Sequence, residues 1–181
     1  IFLTVFIDLI GFGIVLPLLP TYAEHYGAEG FTIGAIIGSY SLMQFFFSPM
    51  WGRLSDRIGR RPVMLISLTG SVVGYAAFAF STSLTMLFVS RIVAGVAAAN
   101  IGTAQAYVAD STTSENRAKG MGLIGASFGL GFILGPPMGG LLADLGMSFG
   151  WGGNLLPGLV ASGLSATALI IAFFVLGESK K

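Results

Sequence analysis

The sequence has no cysteine and only one histidine, His25. This removes disulfides and thiol chemistry and leaves no Cys/His set for a metal site. Charge is scarce too: Asp, Glu, Lys and Arg make up 9% of the 181 residues, against about 25% in an ordinary soluble domain. No basic stripe interleaved with aromatics is present, so a nucleic-acid partner has no support. There is no phosphate-binding loop and no nucleophile beside a base, so neither an enzyme nor a bound cofactor is implied.

What fills the chain instead is apolar surface: 54% of residues are hydrophobic and the mean hydropathy is +0.86. A small soluble domain cannot bury that much, because about half of its residues must face water. The solvent for this chain is therefore a lipid bilayer. A membrane helix needs about 20 largely apolar residues, and six segments qualify, at 1–23, 31–51, 62–80, 84–109, 119–143 and 154–176. Lipid-exposed sheet edges are forbidden, so the expected fold class is all-α, a single six-helix integral membrane bundle. Pro17 and Pro20 are expected to close the first helix, Pro62 to open the third, and Thr113 or Ser114 to cap the fifth. The chain opens at Ile1 inside an apolar run, without an initiator methionine, and reads as a trimmed part of a longer product. That first run is too long for a cleaved signal peptide.

Basic residues give the sidedness. Arg53, Arg57, Arg60 and Arg61 lie between spans two and three, Arg117 and Lys119 between four and five, and Lys180 and Lys181 after six. The opposite loops carry Glu24, His25, Glu29 and Asp144 without a Lys or Arg. Eight of the nine basic residues thus fall on one side, which the positive-inside rule makes cytoplasmic. The expectation is a multi-pass protein of the cytoplasmic (inner) membrane with both termini inside. An internal echo supports a three-plus-three inverted repeat: Gly-x-Leu-x-Asp at 52–56 recurs at 140–144, an offset of 88 residues.

The stretch "GRLSDRIGRR" at 52–61 concentrates four arginines around Gly52, Asp56 and Gly59. One reading is a topology anchor. The other is a latch, in which Asp56 lies by a helix N-terminus and the arginines pair with carboxylates such as Asp110. Arg91 lies within the fourth span, about 10 Å below the outer edge. It must face the bundle interior or snorkel to the outer headgroups. Gly95, Ala98, Gly102 and Gln105 roughly share its face, while Asn100 points away. Asp8 lies about 22 Å from the outer end of the first span, about 12 Å deeper than Arg91 and too far for a direct ion pair. It is either a proton carrier or gate residue, or a structural hydrogen-bond acceptor. Gly131, Gly135 and Gly139 share one face of the fifth span, which predicts close helix contact. Pro136 and Pro137 predict a kink near 132–137. Tyr40, Gln44, Tyr75, Ser127 and Asn154 are candidate cavity-lining polar residues.

Gly-x-Leu-x-Asp-Arg-x-Gly-Arg-Arg resembles the loop-2/3 signature of the major facilitator superfamily of secondary transporters. Three further stretches resemble its drug:proton antiporter branch. They are Asp8 to Pro20 in the first span, Leu87-x-x-x-Arg91-x-x-x-Gly95 in the fourth, and Gly131-x-x-x-Gly135-Pro136-x-x-Gly139-Gly140 in the fifth. The look is nearest to the tetracycline exporters. Their usual Asp-Tyr pair in the third span is Gly74-Tyr75 here, a departure that counts against tetracycline itself and leaves the wider multidrug class standing.

The resemblance implies the amino-terminal half of a twelve-helix exporter of small lipophilic compounds, driven by a proton gradient. It implies proton coupling through Arg91 with Asp8, a latch of Gly52, Asp56, Arg57, Gly59, Arg60, Arg61 and Asp110 with Arg60 as the partner of Asp110, and a cavity shaped by the bend in the fifth span. Tyr40, Gln44, Tyr75 and Asn154 become substrate-contact candidates. The implied partners are the bilayer, the substrate and a second six-helix half. An importer or symporter of a polar metabolite, or a half-size bundle active only when paired, are the alternatives.

Overall fold

The computed structural model describes residues 2–178; Lys180 and Lys181, counted in the charge asymmetry, lie outside the described residues. Among the described residues, eight helices make six membrane-crossing units, each long and apolar enough to span a bilayer. The first unit is α1 (Phe2–Val15) with α2 (Leu18–His25), the second α3 (Gly30–Ile58), and the third α4 (Arg60–Ala79). The fourth is α5 (Leu84–Ala98) with α6 (Ile101–Ser111), the fifth α7 (Ser114–Ser148), and the sixth α8 (Leu155–Val175).

The prolines of the first span do not close it. Pro17 interrupts the helix, and a second segment carries on to His25. Pro20 is tolerated because it sits in the first turn of α2, where backbone N–H groups lack helical partners anyway. Pro62 likewise occupies the first turn of α4, which opens two residues earlier at Arg60. Thr113 stands at the N-cap of α7 but caps no backbone amide; its hydroxyl accepts from the Asn116 side chain. Pro136 and Pro137 leave α7 helical without interruption, so the expected kink is no break in the helix.

The fourth span is broken where no proline signals it, at Ala99 and Asn100. A break inside a membrane frees the carbonyls of the preceding turn, and hydrocarbon cannot satisfy them. Side chains from two other spans do so. Trp51 Nε1 donates to Val96 O at 2.6 Å, Ser67 Oγ to Ala97 O at 2.7 Å, and Gln44 Nε2 to Ala98 O at 3.1 Å. Asn100 Nδ2 in turn donates to Ser67 Oγ. The first span is also interrupted after its opening helix, so the leading element of each triplet is split after about four turns.

Helix packing keeps the repeat. The main pairs are α1 with α7 and α8, α4 with α5 and α8, and α3 with α5. Exchanging spans one with four, two with five and three with six maps this set onto itself. The predicted glycine face of α7 meets α1: a Cβ at Gly131 would stand 2.9 Å from Leu9 Cβ, and one at Gly135 would overlap the Gly13 backbone. Two apolar clusters fill the interior. One gathers around Ile14, Phe78 and Leu87, the other around Met64, Leu68 and Ala168. The spans carried by α3 and α7 are the least covered by the rest of the bundle.

Candidate functional site

The ten-residue polar stretch is not a loop. Its first seven residues complete the last two turns of α3, Gly59 makes the turn alone, and Arg60 begins α4. Gly59 has φ +102°, open to glycine and strained for other residues. Asp56 is therefore on a helix C-terminal turn, where the macrodipole disfavours it, and not beside an N-terminus on its own helix. Its stabilisation comes from Arg60, whose Nη1 donates to Asp56 Oδ1 at 2.6 Å and to Ser55 Oγ at 2.6 Å. The same guanidinium reaches Asp110 near the end of α6, Nε to Oδ2 at 3.1 Å. Arg60 thus ties the ends of the second and fourth spans to the start of the third. Its backbone N–H also donates to Glu178 Oε1 at 2.9 Å. Glu178, absent from the expected cluster, lies three residues beyond α8; no spacing rule could have paired it with Arg60.

The other expected latch residues divide. Arg61 Nη2 donates to Phe173 O at 2.7 Å, holding the last turns of α8. Arg57 is exposed on α3 and joins neither acidic partner. Gly52 faces open space, with nothing within 4 Å of a Cβ placed there, so close packing does not explain it in the six-helix bundle.

Arg91 is fully buried in α5. Three rings surround its guanidinium, with centroids at 6.0 Å for Tyr40, 6.0 Å for Tyr75 and 5.8 Å for Phe78. Such cation–π contacts compensate part of the lost hydration. None of its three nitrogens has a hydrogen-bond partner among the described residues. The snorkelling alternative fails on this burial. Gly95, one turn along, brings α5 against α3: a Cβ there would stand 2.9 Å from Tyr40 Cα. Gln105 does not join this face, because the break at Ala99–Asn100 intervenes and leaves it exposed. Asn100, predicted to point away, is buried against α4.

Asp8 forms no ion pair with Arg91 among the described residues. Its Oδ1 accepts from Ser165 Oγ at 3.0 Å, which joins spans one and six, and Ser71 of the third span stands close to the carboxylate. Tyr40 and Tyr75 stand within electrostatic reach of both Asp8 and Arg91. A cavity of about 20 Å³, room for a single water, lies against Asp8, Thr4, Phe12, Tyr40 and Asn100. Ser67, Ser71 and Tyr75 follow one another at four-residue steps on α4, so the polar face was readable as a pattern although its partners were not.

The remaining candidates are less central. Gln44 is engaged with Ala98 O. Asn154 binds the carbonyls of Phe78, Ala79 and Ser81 at the end opposite the arginines, a structural tie that uses its amide. Ser127 bonds Leu123 O within its own helix. Gly140 is exposed and meets nothing. Gly74 presses on α5, where a Cβ would stand 3.0 Å from Ala94 Cα. A carboxylate at position 74, beside Tyr75, would have no room here.

Six apolar crossings, two oppositely oriented triplets with split leading helices and a buried unpaired cation define a polytopic helical membrane protein of the transporter type. The profile of the Major Facilitator Superfamily matches residues 1–181, and the chain belongs to that superfamily. It is 39% identical to the class C tetracycline resistance protein of Escherichia coli, over 98% of this chain and 44% of that protein. It is 33% identical to multidrug resistance protein 2 of Bacillus subtilis, over 97% of this chain and 42% of that protein. The crystal structure of the human organic anion transporter MFSD10 (TETRAN) superposes with a TM-score of 0.86 at 31% identity, covering 99% of this chain and 47% of that one. The chain thus spans somewhat under half the length of these relatives.

Proposed function

We propose that the chain is the amino-terminal half of a proton-driven exporter of small lipophilic compounds. It works by alternating access in the cytoplasmic membrane, with the arginine-rich end and both termini inside. The observation that carries this reading is Arg91. A buried guanidinium without a hydrogen-bond partner is costly in a membrane, and such residues mark pathways and relays. Asp8 takes up and releases the proton, and Tyr40 and Tyr75 transmit that change of charge to Arg91. The Arg60–Asp56–Asp110 clasp favours one arrangement of the inner helix ends. A second six-helix half covers α3 and α7, the spans left most open. The names of the relatives, tetracycline and multidrug resistance proteins, support drug-like substrates.

The test uses the full twelve-span protein in liposomes with an imposed pH gradient and a lipophilic dye such as ethidium, with tetracycline in parallel. Gradient-dependent movement of either compound supports export; movement of neither, with the protein correctly inserted, overturns it. A second reading, transport of organic anions, is favoured by the unpaired cation and by the name of the human relative. A lipophilic carboxylate included in the same assay separates the two.

A further inference from the structure

We propose that the cleft between α3 and α5 at the arginine-rich end binds a phospholipid with an anionic headgroup. Met50, Trp51, Leu54 and Val96 wall the cleft with apolar surface, and Arg53 and Arg57 stand at its mouth. The apolar α3 positions 50, 51 and 54 follow helical spacing and form a strip along one side. Arg53 and Arg57, four apart, take over on the final turns, where the helix leaves the hydrocarbon. The cleft is therefore amphipathic along its length: acyl chain against the strip, phosphate between the two guanidiniums.

Charge complementarity selects this occupant. Arg60 and Arg61 are engaged by Asp56, Asp110 and the Phe173 carbonyl. Arg53 and Arg57 are exposed, and their guanidiniums have no hydrogen bond or ion pair among the described residues. Two neighbouring cations without counterions raise each other's energy, and an anionic headgroup relieves that. Trp51 spends its only donor on Val96 O, which pins the indole as a wall of the cleft. The site stands apart from the Arg91 pocket and does not depend on which compound is carried.

Trp51 is also the reporter once Trp151, the other tryptophan of these 181 residues, and any tryptophan of the second half are changed to Phe. The full protein, with Trp51 as its sole remaining tryptophan, is placed in mixed phosphatidylglycerol–phosphatidylcholine vesicles, with brominated acyl chains on one lipid at a time. Brominated phosphatidylglycerol should quench Trp51 with an apparent selectivity of roughly tenfold over brominated phosphatidylcholine. High salt should reduce that preference. The Arg53→Gln/Arg57→Gln double variant should remove it while remaining quenched equally by both lipids. Equal quenching of the parent by both lipids, or a preference that survives in a folded double variant, overturns the proposal. So does the absence of quenching by either lipid, which would mean that protein covers the cleft. Should the double variant fail to fold, the salt series on the parent decides: a preference unchanged by salt counts against the arginines.

Discussion

Arg60 and Asp110 are fifty residues apart in sequence, yet Arg60 Nε donates to Asp110 Oδ2 at 3.1 Å. The same guanidinium holds Asp56 on the neighbouring helix end, so one largely buried side chain organises three spans. Both carboxylates are substantially exposed, at 63% for Asp56 and 36% for Asp110. Pairs of that kind add little stability; under the proposed function their main effect is a bias between arrangements.

Asp56→Asn therefore separates the two roles. Thermal unfolding in detergent should change by less than about 1 kcal/mol. Gradient-driven transport by the full protein should fall by roughly tenfold or more if the clasp biases an equilibrium between arrangements. Unchanged transport would reduce the stretch to a topology anchor.

Replacing Arg91 tests the buried cation in the opposite direction. Arg91→Met keeps most of the volume and removes a charge that has no hydrogen-bond partner. Stability should hold or rise by about 1–3 kcal/mol, while transport loses its dependence on the pH gradient. A large loss of stability would show that the aromatic cage fully compensates the guanidinium and that its role is structural.

Gly135 and Gly140 form a matched pair on α7. A Cβ at Gly135 would collide with the Gly13 backbone, whereas one at Gly140 meets nothing within 4 Å. Gly135→Ala should destabilise the six-helix bundle by about 1–3 kcal/mol through forced separation of α1 and α7. Gly140→Ala should be neutral or slightly stabilising by helix propensity. Equal effects in thermal unfolding would contradict the packing of α1 on α7.

Gly59 and Gly52 make a second comparison within one motif. Gly59→Ala forces an L side chain to φ +102° beside the Glu178 carboxylate, and should cost about 1–3 kcal/mol. Gly52→Ala sits in regular helix facing open space and should leave the isolated chain as stable as before. Its effect should appear only in the full protein, as lost transport, if a second half packs there. Loss of stability already in the isolated chain would remove that inference.

The sequence displayed what composition and periodicity control. Long apolar runs named the six spans, the lone arginine within the fourth span had either to turn inward or to snorkel outward, and the four-residue glycine spacing marked a close helix contact. It concealed what tertiary partners decide. The last turns of α3 beyond Met50 are rich in glycine and arginine because they leave the hydrocarbon, so a helix end read as a loop despite Trp51, Leu54 and Ile58 keeping helical spacing. The interruption at Ala99–Asn100 has no proline. It persists because Trp51, Ser67 and Gln44, all from other spans, satisfy the freed carbonyls. Phe78 at Arg91, Ser165 on Asp8 and Glu178 over Gly59 are likewise pairings across the bundle that no local spacing encodes.

The most direct measurement of alternating exposure uses Ser48, an exposed α3 residue one turn before Gly52 whose hydroxyl bonds only its own helix at Gln44 O. A cysteine placed there by Ser48→Cys is the sole thiol of these 181 residues. Its rate of labelling by a water-soluble maleimide is followed in membranes holding the full protein, with and without an imposed proton gradient, against the unsubstituted parent. The account predicts rates that differ several-fold between the two conditions, with the difference lost in Arg91→Met. A single rate under both conditions, in protein that still transports, would contradict it.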